Sequence, residues 1–142
     1  MMREILFRGM LKTDNGELKK ADWVYGDYVR LKDGKHTIHC IYGKGEVEPD
    51  TVGQYIGLTD KNGKYIFSGD IVHAIHRHNY VGVKDKDFGI GIIEYHDTYY
   101  GGASYHINII GESGSRVFSA SLEVEVIGNI HDNPELIKGG VE

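Results

Sequence analysis

Three histidines lie close together near the middle of the chain, where they could bind a metal ion. His76 and His78 are two residues apart, so an extended strand places both imidazoles on one face, while His73 points to the other face. Asp85 or Asp87 in the following loop could complete a site for zinc or a similar ion. This spacing permits a metal-dependent hydrolase. No second fixed ligand pair is evident, so we predict solvated histidines, with no metal and no cofactor.

The same stretch mixes cations with aromatic rings, as proteins that bind single-stranded nucleic acid do. Asp85 and Asp87 offset its positive charge, and the formal net charge of −5 provides no general attraction to phosphate backbones. A nucleic-acid-binding module is therefore a second hypothesis. Its candidate binding surface within residues 77–88 consists of Arg77, His78, Tyr80, Lys84, Lys86 and Phe88.

Other reactive side chains are better explained by structure than by catalysis. Cys40 is the only cysteine, which excludes an internal disulfide and a cysteine-based zinc site. His39 precedes it, but neighbours on a strand point to opposite faces. Glu123 and Glu125 alternate with valines, which is typical of a half-exposed strand. Asp70 is expected to accept hydrogen bonds from backbone N–H groups in a turn. Because no phosphate loop, nucleophile elbow or dinucleotide fingerprint is present, the sequence favours a protein that is not an enzyme.

The stretch 51–72 is the most legible structural element, because it contains a hairpin with a defined turn. A two-residue loop would place Lys61 opposite Lys64, whereas a three-residue loop closed by Gly63 places Asp60 opposite Lys64. The second register avoids facing cations, and glycine adopts the left-handed conformation that it requires. We therefore predict that Asp60 and Lys64 form a cross-strand pair that sets the register.

The composition predicts short strands joined by tight turns. The 142 residues include 20 Gly, 10 Tyr and only 2 Pro. After Thr51 the predicted strands follow one another closely, with no segment long enough for a crossover helix between parallel strands. We predict an all-β, mainly antiparallel fold. Residues 51–142 would form a small, partly open SH3-like barrel with a short C-terminal helical turn, and residues 1–50 an N-terminal hairpin elaboration. Besides the hairpin, the predicted strands are 4–10, 21–24, 28–32, 36–42, 71–75, 90–95, 105–110, 116–118 and 124–130.

The N-terminal part contains the only tryptophan. Trp23 and Tyr25 are two residues apart, so their rings share a face of an extended segment, and we interpret them as core or interface anchors. A turn at 25–27 is expected to separate the second and third strands. The polar segment 43–50 contains two Gly and a Pro, which favours a boundary before the central hairpin.

Several motifs resemble those of the YopX-like family of small phage and prophage proteins. They are REILFR from residue 3, WxYG from 23, TVGQY from 51, LxDKNGK from 58, GDIV from 69 and VIGNIxxNPEL from 126. Together they span nearly the whole chain, whereas residues 74–123 carry no matching motif. The chain departs from the family pattern at residues 9–11, 56, 67–68 and 131–132, as side-chain exchanges within one architecture.

The resemblance implies a mostly β fold in a phage or prophage setting and supplies no catalytic residues. Our first hypothesis is a non-enzymatic binding module that associates with itself or with an unknown host or phage protein. Apolar side chains on both faces of the central hairpin motivate the homo-oligomer. No apolar run has the length of a signal peptide or a membrane span, so we expect a soluble protein in the bacterial cytoplasm.

Overall fold

In a computed structural model, the chain divides into two compact units, Met1–Gly57 and Leu58–Glu142, each described by itself below. The structure describes residues 4–12, 22–78, 80–98, 102–112, 115–119 and 121–138, and the side chains of 96–98 and 102–103 are excepted. Residues 13–16, whose Thr-Asp-Asn-Gly sequence indicates a turn, lie outside these ranges.

The first unit is an antiparallel sheet. Its strands are β1 (Phe7–Met10), β2 (Trp23–Arg30), β3 (His36–Cys40) and β4 (Gly43–Glu46), followed by a 3₁₀ turn (Pro49–Thr51) and β5 (Gly53–Thr59). The strand order is β4-β3-β2-β1-β5. Strand β4 occupies the segment that the polar composition marked as a boundary.

Strand β2 runs without a break through the residues predicted to form a turn, so that prediction is wrong. Gly26 pairs with Phe7 of β1, and Asp27 pairs with His39 of β3. A Cβ atom at Gly26 would overlap the carbonyl oxygen of His39. The glycine therefore allows close strand approach rather than a reversal of the chain.

The core of the first unit forms where the end of β1 meets the residues after β4. Leu11 and Val47 form an antiparallel bridge, and the N–H of Glu48 donates to the carbonyl of Met10 at 2.9 Å. The Thr51 hydroxyl oxygen accepts the N–H of Met10 at 2.9 Å. Met10 of β1, Ile38 of β3 and Val47 after β4 are buried and contribute to the apolar core of this unit.

The second unit contains the remaining strands and one short helix. They are β6 (Tyr65–Phe67), β7 (Asp70–His76), β8 (Lys86–Thr98), β9 (Gly102–Ile109), β10 (Leu122–Asn129) and α1 (Glu135–Lys138). Strands β7 to β10 form a four-stranded antiparallel sheet in the order β10-β7-β8-β9. The core includes Ile71, Val72, Ile93, Ile107 and Ile109, which are fully or almost fully buried.

The all-β antiparallel class is confirmed, with the short C-terminal helix, but the barrel is not formed. In the described residues, β9 and β10 are the edges of an open sheet. Non-strand segments occupy both edges. Lys61 donates its N–H to Val124 of β10, and Arg116 exchanges two backbone hydrogen bonds with Ile107 of β9. These hydrogen bonds occupy backbone groups at the edges of β9 and β10, so fewer edge groups are free to pair the two strands with each other.

The predicted register of the central hairpin is confirmed. The N–H of Asp60 donates to the carbonyl of Lys64 at 2.8 Å, and that of Gly63 donates to the carbonyl of Asp60 at 3.0 Å. Gly63 has a φ of +81°, the left-handed conformation that the three-residue loop requires. The Asp70 carboxylate, which is buried, accepts the N–H of Phe67 at 2.8 Å and closes the next turn as predicted. In the described residues, no helix is long and apolar enough to cross a membrane.

Candidate functional site

The predicted binding surface at 77–88 lies in the second unit, and its arginine is paired with two carboxylates. Nη1 of Arg77 is 2.8 Å from Asp85 Oδ2, and Nη2 is 2.5 Å from Glu123 Oε2. The hydrogen bonds that Arg77 donates to Asp85 and to Glu123 raise the pKa of its guanidinium, and the bond to Asp85 lowers the pKa of that carboxyl. Arg77 therefore joins β10 to the loop before β8, with its charge offset on both sides.

The three histidines separate as the strand geometry predicts. His76 Nδ1 lies 3.1 Å from His78 Nε2, and their ring centroids are 4.4 Å apart. His73 is elsewhere, 2.8 Å from Asp87. The N–H of Gly89 and then His73 lower the pKa of the Asp87 carboxyl. Among the described residues, no three His, Cys, Asp or Glu side chains converge on one point, so a third metal ligand is not brought to the histidine pair.

The aromatic and cationic members of the predicted surface have different surroundings. Lys86 Nζ lies 5.2 Å from the centre of the Phe88 ring, and the guanidinium of Arg116 lies 4.1 Å from it. Tyr80 and Lys84 are exposed. The ring of Phe88 is thus already in contact with cations, which leaves Tyr80 as the exposed ring of this surface.

A second surface lies in the first unit, and sequence reasoning identified only part of it. It is a groove of about 740 Å³ between β2 and the turn after β3. We call it the aromatic groove. Its lining residues are Trp23, Val24, Tyr25, Gly26, Asp27, His39, Cys40, Ile41 and Tyr42.

Three of the apolar and aromatic side chains of the aromatic groove are exposed to solvent. Ile41 is 91% exposed and Tyr42 is 92% exposed, while Tyr25 is 48% exposed. The guanidinium of Arg8, which is buried, lies 4.8 Å from the Trp23 ring and supports the floor of the groove. A cluster of exposed apolar side chains of this kind is characteristic of an interaction surface.

Polar residues form a row beside the apolar cluster. Asp27 pairs with His39, and His39 pairs with Lys44, so the three lie side by side on one face across three strands. His39 Nε2 is 2.9 Å from the Thr37 hydroxyl. Cys40 is exposed. The sequence signal that could have identified this surface is the pair Ile41-Tyr42 directly before a turn glycine, where burial is difficult.

A family model and a solved structure match this chain. The model of the YopX protein family matches residues 8–138, and the chain therefore belongs to this family. A crystal structure of protein EF1440 from Enterococcus faecalis has a TM-score of 0.47 and 21% sequence identity, covering 96% of this chain and 99% of that one. No curated protein matches the chain.

Proposed function

We propose that this member of the YopX family is a non-enzymatic binding module that associates through the aromatic groove, and that the partner is a second copy of the chain. The observation that carries the proposal is the near-complete exposure of Ile41 and Tyr42 beside the ring of Tyr25. Removing such side chains from water favours association, since apolar burial is the main driving force for it. Tyrosine also contributes large contact area with few rotatable bonds.

Two close contacts hold residues that line the groove, which supports a binding role. Gly26 lets β2 approach the backbone of His39, and Trp23 is held against the guanidinium of Arg8. A rigid surface loses little conformational entropy when a partner binds, so more of the contact energy is expressed as affinity.

Charge complementarity supports a second copy as the partner. Asp27 and Lys44 are both exposed and lie on either side of His39. In a two-fold dimer each contact occurs twice, because the same patch of both subunits is used. A two-fold axis near His39 would place the acid of each copy opposite the lysine of the other.

Sedimentation equilibrium of the wild type and of the variants Ile41→Ser and Tyr42→Ser tests this proposal. We expect a concentration-dependent dimer for the wild type and an association constant at least about 10-fold weaker for Tyr42→Ser. Val81→Ser is the matched control, because Val81 is a fully exposed apolar residue of the second unit. A wild type that stays monomeric at high concentration, or a Tyr42→Ser variant that dimerises equally well, would overturn the self-association.

Cys40 provides an independent measurement of the same interface. It lines the groove and is the only cysteine, so a short bis-maleimide can link two copies only through this residue. We expect a covalent dimer in good yield for the wild type and little for Tyr42→Ser. Equal cross-linking in both proteins would mean that random collision, not the groove, brings the thiols together.

The cellular setting is proposed from the family resemblance, as the cytoplasm of a bacterium that carries a phage or prophage. Pull-down from prophage-induced cells with the wild type and Tyr42→Ser as baits tests it. If a monomeric wild type retains a phage or host protein and the variant does not, that protein is the partner instead of a second copy. The proposal of a binding module would then still hold. The nucleic-acid-binding module and the metal-dependent hydrolase remain predictions, and no contact of the described residues favours either of them.

A further inference from the structure

A small cavity in the second unit collects hydrogen-bond donors that the binding module does not use. It has a volume of about 270 Å³ and lies between the ends of β7 and β10 and the segment that pairs with β9. Four of its lining residues can donate hydrogen bonds: His76, Ser115, Arg116 and Ser119. Phe88 and Leu122 supply an apolar wall.

Arg116 is held in place by its backbone and its side chain. Two hydrogen bonds of 2.7 and 2.8 Å join its backbone to Ile107 of β9. Its guanidinium lies 4.1 Å from the centre of the Phe88 ring, and Nη2 is 3.2 Å from Glu112 Oε2. Glu112 contacts only one end of the planar fork, which has five donors, and no carboxylate of the described residues lines the cavity.

Ser115 is held by a histidine behind the cavity. His106 is buried, with Nδ1 2.9 Å from the Ser115 hydroxyl and Nε2 2.7 Å from the Ser104 hydroxyl. A neutral imidazole has one N–H and one acceptor nitrogen, so it donates to one of these serines and accepts from the other. When Nδ1 carries the proton, the Ser115 oxygen accepts it, and the Ser115 O–H is left to donate into the cavity.

We propose that this cavity binds a small organic oxyanion. The oxyanion would accept hydrogen bonds from Arg116, Ser115 and His76, and the apolar body of the ligand would lie against Phe88 and Leu122. Charge-assisted bonds from a planar guanidinium are among the strongest available to a phosphate or a carboxylate. The volume lies just below the range of about 300–1,000 Å³ that drug-sized ligands occupy, so the ligand is of small-metabolite size.

NMR titrations of the full chain with four compounds test the proposal. Phenyl phosphate and benzoate carry the oxyanion on an apolar ring, phenol has the ring alone, and inorganic phosphate has the anion alone. We expect saturable shifts at Ser115 and Arg116, with a Kd of about 1 mM or lower for phenyl phosphate or benzoate and at least about 10-fold weaker binding of phenol. The tighter of the two oxyanions identifies the ligand class. No saturable binding of either, or equal binding of phenol, would overturn the proposal.

Two substitutions locate the site. Arg116→Gln keeps the backbone bonds to Ile107 and removes the charge, so we expect at least about 10-fold weaker binding. Arg30→Gln is the matched control and should bind as the wild type does, because Arg30 is an exposed residue of β2 in the first unit and does not line this cavity. Unchanged affinity in Arg116→Gln, with its fold verified by amide spectra, would contradict the site.

His106 has a positioning role that a purely structural residue would lack. Ligand binding should shift its tautomer population towards the Nδ1–H form, since only that form leaves the Ser115 O–H to donate to the oxyanion. The ¹⁵N shifts of the His106 ring measure this population directly. We expect the change with the wild type and its loss in Ser115→Ala. An unaltered His106 tautomer in a saturated wild type would remove Ser115 and His106 from the site.

Discussion

The Asp60 carboxylate connects the turn of the central hairpin to strand β10. One carboxylate oxygen accepts the N–H groups of Asn62 and Lys64, both at 2.9 Å. The other accepts the N–H of Val126 in β10 at 2.9 Å. Burial by itself would raise the pKa of the Asp60 carboxyl, but these three donors and the charge of Lys64 lower it below its ordinary value. The ionised form is therefore the one that the fold stabilises.

Replacing Asp60 with Asn should destabilise the protein by about 1–3 kcal/mol at neutral pH, because an amide presents only one acceptor oxygen to three donors. The contribution of the carboxylate is complete above the unfolded-state pKa, near 3.8, and is lost as pH falls through the lower folded-state pKa. Urea unfolding of both proteins from pH 7 to pH 3 measures this. The stability difference should be constant down to about pH 5 and shrink below pH 4. A difference that grows on acidification would contradict the lowered pKa.

The turn of the central hairpin is the element that combines local and long-range structure. Gly63 determines the conformation of the loop. Lys61, two residues before it, donates its backbone N–H to the carbonyl of Val124 in β10 at 3.0 Å. Lys61 Nζ is also 3.1 Å from Glu125 Oε2. A turn that also occupies the edge of another strand protects that edge from pairing with a foreign strand.

Gly63→Val should destabilise the protein by about 2 kcal/mol, since a β-branched residue disfavours the left-handed conformation at φ +81°. Gly63→Asn is the matched control. Asparagine visits this region more easily, so its cost should be about half as large or less. Thermal unfolding followed by circular dichroism measures both. The folding defect should appear before any loss of association, and a Val variant that folds normally but no longer dimerises would contradict this structural role.

At the scale of the whole molecule, each unit presents its own candidate surface. The first unit has the exposed aromatic groove, and the second has the cavity beside Arg116. The net charge of −5 disfavours close approach of two copies at low salt. Association must therefore come from apolar contact and from matched charges at the interface, rather than from overall electrostatic attraction.

Self-association makes a prediction about thermal stability. If folded copies associate and unfolded chains do not, Tm rises with protein concentration by mass action. Differential scanning calorimetry over a wide concentration range should show this rise for the wild type and a flat dependence for Tyr42→Ser. A wild-type Tm that is independent of concentration would argue against a dimer of folded chains.

The sequence by itself determined the features that depend on neighbouring residues. The antiparallel all-β class, the hairpin register around Gly63, the turn closed by Asp70 and the separation of His73 from His76 and His78 all follow from side-chain alternation and turn chemistry. These rules act over a few residues, so they can be read without knowing the rest of the chain.

Only the tertiary structure decided the features that depend on distant residues. Gly26 resembles a turn residue locally, but the carbonyl of His39 makes it a point of close strand approach. The four-stranded sheet stays open, with Lys61 and Arg116 bonded to its two edge strands, and neither contact has a local sequence signal. For the same reason the sequence does not predict Ser115, His106 and Arg116 as a group. Residues from separate strands meet only after the strands have paired, and no local rule specifies which strands do so.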